Sequence, residues 1–307
     1  MADLAAQLLD NLCSVVRGAT DAVELALVAL LSGGHLLIED VPGVGKTLLA
    51  KSLARSVAAT FRRIQGTPDL LPADLTGVSV LSPSAGEWTF RPGPLFAHVV
   101  LVDEVNRATP RTQSALLEAM EERQITVDGE TRHLPDPFFV VATQNPVEYV
   151  GTFPLVEGQR DRFAIVVEMG HPDSDAERDV LLGRGGTETL DDLAPVTDAD
   201  GLRRAIAAVH DVHCEPSLAD YVIDLAAATR ADPDVLLGAS PRAALGLLHA
   251  GQARAAMAGR SFVVPDDVKA VAPAALAHRL ILRDGPDTRA AAAIVTALVD
   301  RVPVPRA

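Results

Sequence analysis

The chain has 307 residues, 48% of them apolar, so it is long enough for two domains and too hydrophobic to be disordered. Aromatic residues make up only 4%, with Trp88 the single tryptophan, a balance that favours helices packed on a sheet over an all-β fold. Asp and Glu number 41 against 27 Lys and Arg, a net charge of −14 that argues against a general nucleic-acid-binding surface.

The apolar spacing predicts an amphipathic helix over 3–16, and a second from Asp21 to Leu31 that Ser32-Gly33-Gly34 stops. Neither the N-terminus, which lacks a basic n-region, nor any apolar run suggests a leader or a membrane span, so a cytoplasmic protein is expected. Val15, Val16 and Gly18 precede the next strand and are candidates for holding an adenine ring.

Residues 35–47 then read as strand, glycine-rich loop and helix start. Leu36-Leu37-Ile38 is a short buried strand, Pro42, Gly43 and Gly45 break it, and Leu49, Leu53 and Val57 recur at a helical period. Unpaired N–H groups and the helix dipole make such a turn a phosphate site. The cradle is Pro42, Gly43, Val44, Gly45, Lys46, Thr47 and Leu48. Lys46 is placed for the β- and γ-phosphates of ATP, and the Thr47 hydroxyl for Mg²⁺. The P-loop pattern G-x-x-x-x-G-K-[ST] departs at one position, where Asp40 replaces the first glycine.

Phe61–Gln65 is a short strand, Thr67–Leu75 reads as a loop, and two alternating runs at 77–81 and 87–91 predict a hairpin. His98–Val102 is a buried strand that ends in Asp103-Glu104. The carboxyl end of a parallel strand is where ligands bind, so Asp103 is the expected Mg²⁺ holder and Glu104 the general base. Thr109-Pro110 opens a helix, and the Asp128-Gly129 turn predicts a second hairpin. Phe138–Thr143 is another buried strand, followed by Gln144 and Asn145, and Asn145 is placed to hold the attacking water. Arg162 is the candidate arginine finger for a neighbouring subunit, with Arg160 its rival and a salt bridge to Asp161 its plainer role. Ala164–Glu168 is the last strand of the sheet.

The composition shifts near His171-Pro172-Asp173, which predicts an α/β nucleotide-binding domain over 1–172. After a polar connector, an all-α domain over 195–307 is expected, with helices at about 199–212, 217–230, 241–258, 265–271 and 287–300. Arg242 lies in the first turn of its helix, where the dipole disfavours a cation unless an anion is near. It is therefore a candidate second γ-phosphate sensor, expected in its own subunit's site. His210, His213 and Cys214 lie close in sequence but read as ordinary helix residues. Cys13 and Cys214 imply no disulfide framework.

The set of motifs resembles the AAA+ ATPases, and within them the MoxR family. The likeness rests on His35–Thr47, Val99–Ala108, Ala142–Pro146, Gly151–Leu155, Asp161-Arg162-Phe163, Ser240-Pro241-Arg242 and Val264–Val268, in family order across nearly the whole chain. The family usually has Leu-Pro-Glu-Ala-Gln-Leu-Asp-Arg-Phe where this chain has Leu155-Val156-Glu157-Gly158-Gln159-Arg160-Asp161-Arg162-Phe163. The resemblance implies a P-loop AAA+ domain with a parallel sheet, a helix-2 insert at about 77–92, a hairpin at about 123–135 before the sensor strand, and a C-terminal helical lid. It also implies a ring, commonly a hexamer, and a partner bearing a von Willebrand factor A domain. The expected function is ATP-driven, chaperone-like remodelling or maturation of a partner protein or metal-cofactor enzyme. The alternatives are a nucleotide-dependent scaffold with little hydrolysis and a DNA-acting motor. The acidic balance and the lack of a basic, aromatic-interleaved stretch argue against the motor.

Overall fold

Five short, almost wholly apolar runs form one parallel sheet in the computed structural model, which describes residues 1–82, 87–146, 151–170, 174, 177–178, 190–285 and 287–305. The strands are β1 (Leu36–Glu39), β2 (Phe61–Gln65), β5 (Val99–Asp103), β8 (Phe139–Gln144) and β9 (Ile165–Val167), in spatial order β2-β5-β8-β1-β9. Continuous apolar runs suit strands covered on both faces. Leu36↔Val141 and Leu101↔Val141 fix the register of the three central strands.

Helices α1 (Ala2–Val15), α2 (Thr20–Leu31) and α3 (Lys46–Ser56) cover one face, where Leu8, Leu12, Leu27, Leu36, Ile38, Leu49 and Leu101 share a core. The other face packs α4 (Pro72–Thr76) and α5 (Pro110–Glu122) over Leu37, Val100, Val102 and Val140. Two hairpins stand apart from the sheet: β3 (Gly77–Ser82) with β4 (Glu87–Pro92), and β6 (Gln124–Val127) with β7 (Glu130–His133). They occupy the positions expected of the two inserts. The turn expected at Ser82–Gly86 lies outside the described residues for 83–86, as does the domain boundary at 171–173.

A short α6 (Glu157–Arg160) precedes β9, and beyond it come α7 (Ala199–His210), α8 (Pro216–Ala231), α9 (Pro241–Met257), α10 (Pro265–Leu276) and α11 (Thr288–Arg301). The helix expected over 265–271 runs on through Pro273 to Leu276. Two short strands, β10 (Val235–Leu237) and β11 (Ile281–Leu282), pair antiparallel within the helical region, where no strand is expected from the sequence. Residues 72–76 form a helix rather than loop, because Pro72 suits its first position and Asp74 Oδ2 accepts from the Leu71 N–H at 2.9 Å. His210 stacks edge-on against His249 at 4.6 Å while His213 bonds Glu215 at 3.0 Å, so the two histidines face different partners. No helix among the described residues is long and apolar enough to cross a membrane.

Two buried histidines tie the sheet to its surroundings. His35 Nδ1 accepts from the Val140 N–H at 3.0 Å, so its Nε2–H donates to the Met120 carbonyl at 3.2 Å. Burial, with Arg123 nearby, pushes its pKa down to about 3. His278 Nε2 bonds the Phe163 carbonyl at 3.1 Å, and burial holds its pKa well below the ordinary 6.5. Both rings stay neutral in the folded protein and would protonate on unfolding. Their contribution is therefore complete above pH 6.5 and lost as pH falls below it, by up to about 1.4 kcal/mol per ring per pH unit. Urea denaturation at pH 7 and pH 5 is expected to show a clear drop in stability in a range where ordinary carboxylates do not titrate. Equal stability at the two values would contradict neutral burial of this pair.

Candidate functional site

The loop after β1 has the backbone of an anion cradle. Gly43 (φ 90°) and Gly45 (φ 95°) both take left-handed conformations that favour glycine. No described atom lies within 4 Å of where a Gly43 Cβ would stand, so the space above the cradle is open to a phosphate group. Lys46 begins α3 and folds its ammonium back to donate to the carbonyls of Asp40 (2.6 Å) and Val41 (3.2 Å). Burial pushes its pKa down, against the pull of Asp40, Asp103 and Glu104. Those bonds hold the ammonium at the start of the loop.

Asp40, the departure from the P-loop pattern, has a structural task. Its Oδ1 accepts from the Val41 N–H at 2.7 Å, and its Oδ2 from the N–H groups of Met169 and Gly170 at 2.8 Å each. The carboxylate thus fastens the loop to the segment after β9, a link a glycine would lack.

Asp103 and Glu104 stand at the end of β5, on the same edge of the sheet as the loop. Asp103 is paired with Arg63 Nε at 2.6 Å and accepts from Thr143 Oγ1 at 3.3 Å. Glu104 has a left-handed backbone (φ 53°, ψ 51°), uncommon for a residue with a Cβ. Its N–H donates to Thr143 Oγ1 at 2.9 Å, and its carboxylate accepts from Gln65 Nε2 at 2.9 Å and Arg107 at 3.3 Å. Thr143 therefore links β8 to both acids, and Asn145 follows it two residues on, half-buried at the end of the strand. Gln65, Arg63 and Thr143 were not singled out by sequence reasoning; a polar residue closing a buried parallel strand is the signal that marks Gln65 and Thr143.

Leu48, the last residue of the cradle, packs beside Val15, Leu190 and Leu193 in a small apolar cluster. Val15 lies where an adenine contact is expected. Leu190 and Leu193 come from the connector and carry no motif. Val16 belongs instead to the main core, and Gly18 is exposed at φ 76°.

The arginines are arranged differently from expectation. Arg160 turns inward to Glu39 at 2.6 Å, a carboxylate that also binds Gln144 at 2.6 Å and Thr288 at 3.1 Å. Arg160 is thus occupied within its own chain and is not presented outward. Arg162 does not pair with Asp161, which faces Arg279 at 3.0 Å in an ion pair whose angle lies outside hydrogen-bond geometry. Instead Arg162 Nε and Arg242 Nη1 each donate to one oxygen of Glu121 at 2.7 Å. The two bonds hold the Glu121 carboxyl below the usual range.

Glu121 lies in the last turn of α5, at the start of the strands: Met120 before it and Arg123 after it touch His35, Gly33 and Phe138 just before β1 and β8. The cradle and the acidic pair lie at the other end. A four-residue strand alone rises roughly 13 Å, and the Arg242 guanidinium rests on Glu121 rather than on the loop of its own subunit, where the sequence places its role. The anion that relieves its place at a helix N-terminus is Glu121.

Gly66 sets the spacing behind the acids. A Cβ there would overlap the Glu104 carbonyl oxygen and stand 3.0 Å from that of Asp103, while its N–H donates to Asp103 O at 2.7 Å. Gly66→Ala must displace the acidic pair without touching the cradle. It is expected to slow nucleotide hydrolysis about tenfold or more, since displacements near 1 Å cost on the order of 10²-fold. Nucleotide affinity should change little. Hydrolysis at the wild-type rate, measured by phosphate release, would contradict this placement of Glu104.

Comparison with known proteins agrees with this geometry. Residues 35–165 match the model of the ATPase family associated with various cellular activities (AAA), and residues 227–298 match the AAA lid domain. The chain is 46% identical over 300 residues to the uncharacterized protein YeaC of Bacillus subtilis, covering 96% of this chain and 93% of that protein. It is 43% identical over 278 residues to the chaperone MoxR1 of Mycobacterium tuberculosis, covering 87% and 73%. It is 32% identical to the protein MoxR of Methylorubrum extorquens, covering 99% and 96%. A crystal structure from Cytophaga hutchinsonii, described as a candidate ATPase, superposes with a TM-score of 0.89 at 35% identity, covering 99% and 96%. A parallel sheet with a glycine-rich loop after β1, an acidic strand end, a helical lid and relatives of this extent together mean that the chain belongs to the MoxR family of AAA ATPases.

Proposed function

We propose that the protein binds ATP with Mg²⁺, hydrolyses it at a site completed by a second copy of the chain, and uses the cycle to remodel or mature a partner protein. The observation that carries the proposal is the division of labour between the two ends of the sheet. One end has Lys46, Thr47, Asp103, Glu104 and Asn145 around an open cradle. The other end has two arginines on one carboxylate.

In this reading the N–H groups of 42–48 and Lys46 hold the phosphates. Thr47 and Asp103 would hold Mg²⁺, which neutralises charge on the β- and γ-phosphates when bound. Because Asp103 already pairs with Arg63, its share of that task is best met through a metal-bound water. Glu104 takes the proton of the attacking water, and Asn145 helps position that water. Val15, Leu48, Leu190 and Leu193 offer the adenine an apolar wall. Arg162 and Arg242 stabilise the γ-phosphate of the neighbouring copy during transfer.

The family supports an oligomer, and the resemblance extends the proposal to a ring, commonly a hexamer, and to a partner bearing a von Willebrand factor A domain. The relative in Mycobacterium tuberculosis named a chaperone favours remodelling over a passive scaffold, as does the presence of Glu104. A cytoplasmic location completes the proposal.

Lys46→Ala is expected to abolish tight ATP binding in a fluorescent-nucleotide titration, and unchanged affinity would remove the cradle from the account. Glu104→Gln should bind ATP and Mg²⁺ normally while hydrolysis falls by about 10²-fold or more. A rate equal to wild type would sink the base assignment.

Mixing variants tests the shared site. Arg162→Ala alone should bind ATP yet hydrolyse poorly, by about 10³-fold in the strongest comparable systems. Combined with Lys46→Ala it should regain activity, because mixed interfaces pair an intact cradle with intact arginines. Arg242→Ala combined with Lys46→Ala should also revive. If the Arg242 mixture stays inactive while the Arg162 mixture recovers, Arg242 serves its own subunit's site.

A further inference from the structure

We infer that Glu121 is a positioning residue that makes Arg162 and Arg242 a single two-guanidinium clamp for the γ-phosphate held by a second copy of this chain. The inference rests on the shared-site reading above and assigns a role to a residue outside the recognised motifs.

The geometry of the three side chains leads to it. Arg162 uses only Nε on Glu121 Oε2, and its two terminal nitrogens make no bond among the described residues. Arg242 uses Nη1 on Glu121 Oε1, and its other nitrogens make no bond among the described residues. A carboxylate shared in this way orients two planar guanidiniums while covering only part of each donor fork. Arg162 is about one-third exposed and Arg242 about half, so the outward edges reach solvent. Two cations against one anion leave the trio with a net positive charge on a chain whose total is −14. An anionic group of higher charge, such as a terminal phosphate, suits that imbalance.

A second observation shows that the clamp is framed from beneath. Arg279 is buried, and burial lowers its pKa to about 10, so it stays charged at neutral pH. It donates to the carbonyls of Asp161 (3.2 Å) and Phe163 (2.9 Å), on either side of Arg162, and to that of Ala243 (3.3 Å), beside Arg242. Gly246 leaves room for this guanidinium, since a Cβ there would stand 3.0 Å from Nη1. The same buried side chain thus fixes both backbones that bear the outward arginines. Glu121 then fixes their tips. Long exposed arginines lose rotamer freedom when they engage a ligand; here much of that ordering precedes the encounter.

The test compares Glu121→Ala and Glu121→Gln with wild type, at concentrations where each is shown to assemble. Glu121→Ala should lose kcat about tenfold or more with KM for ATP within about twofold, because its own cradle is untouched. Glu121→Gln keeps one acceptor oxygen without the charge and should fall between the two. Mixing Glu121→Ala with Lys46→Ala should restore activity, as the intact arginines and Glu121 then come from the Lys46→Ala copies. A kcat at or above wild type overturns the proposal, since Glu121 would then be idle or a competitor of the phosphate. So does a Glu121→Ala mixture that stays inactive while the Arg162→Ala mixture revives. If the Arg162→Ala mixture itself stays inactive, the shared-site reading fails first, and the clamp with it. Should Glu121→Ala not fold, Glu121→Gln carries the same comparisons.

Discussion

Five parallel strands give the sheet two chemically different ends, and everything the site does depends on that polarity. Carboxyl ends gather the loop at 40–47, the acids after β5 and the amides after β8. Amino ends gather His35, the close of α5 and the segment that enters β9. Of the two arginines just before β9, Arg160 reaches across to Glu39 at the close of β1, whereas Arg162 is held on Glu121 near the amino ends. Arg162 and, from the lid, Arg242 both rest on Glu121, at the end of the sheet where His35 meets Met120. In the proposed shared site, one copy contributes the carboxyl end of its sheet and a second copy contributes the arginines held at its amino end.

Within one copy, the carboxyl end of the sheet is held by polar residues that bridge neighbouring elements. Thr143 touches the backbone of Glu104 and the side chain of Asp103. Asp40 ties the phosphate loop to the segment after β9. Glu39 gathers Gln144, Arg160 and Thr288, joining the end of β1 to β8, α6 and the lid. Pairing of this kind is expected where charge is buried, because an isolated buried carboxylate is costly.

Much of this was legible in the sequence. The cradle and the acids after β5 announce themselves through local patterns: a buried run, then glycines or carboxylates, then a helical period. The parallel sheet, both hairpins and most lid helices follow from the same periodicities. What escaped depends on distant packing. The partner of Arg242 lies 121 residues away in α5, and no spacing rule links the two. Arg160 and Arg162 look equivalent as sequence, yet α6 turns one inward to Glu39 and the other outward to Glu121. The strands at Val235–Leu237 and Ile281–Leu282 are too short to show alternation. The helix through Pro273 ran past its predicted end because the fold tolerates a proline that a local reading takes as a stop.

The claim that two copies make one active site is tested most directly by measuring ATP hydrolysis per subunit across protein concentration, with sedimentation run on the same samples. The account predicts that activity per subunit rises in step with the assembled fraction and is nearly lost in the monomer. A monomer that hydrolyses ATP at the rate of the assembled protein would contradict it.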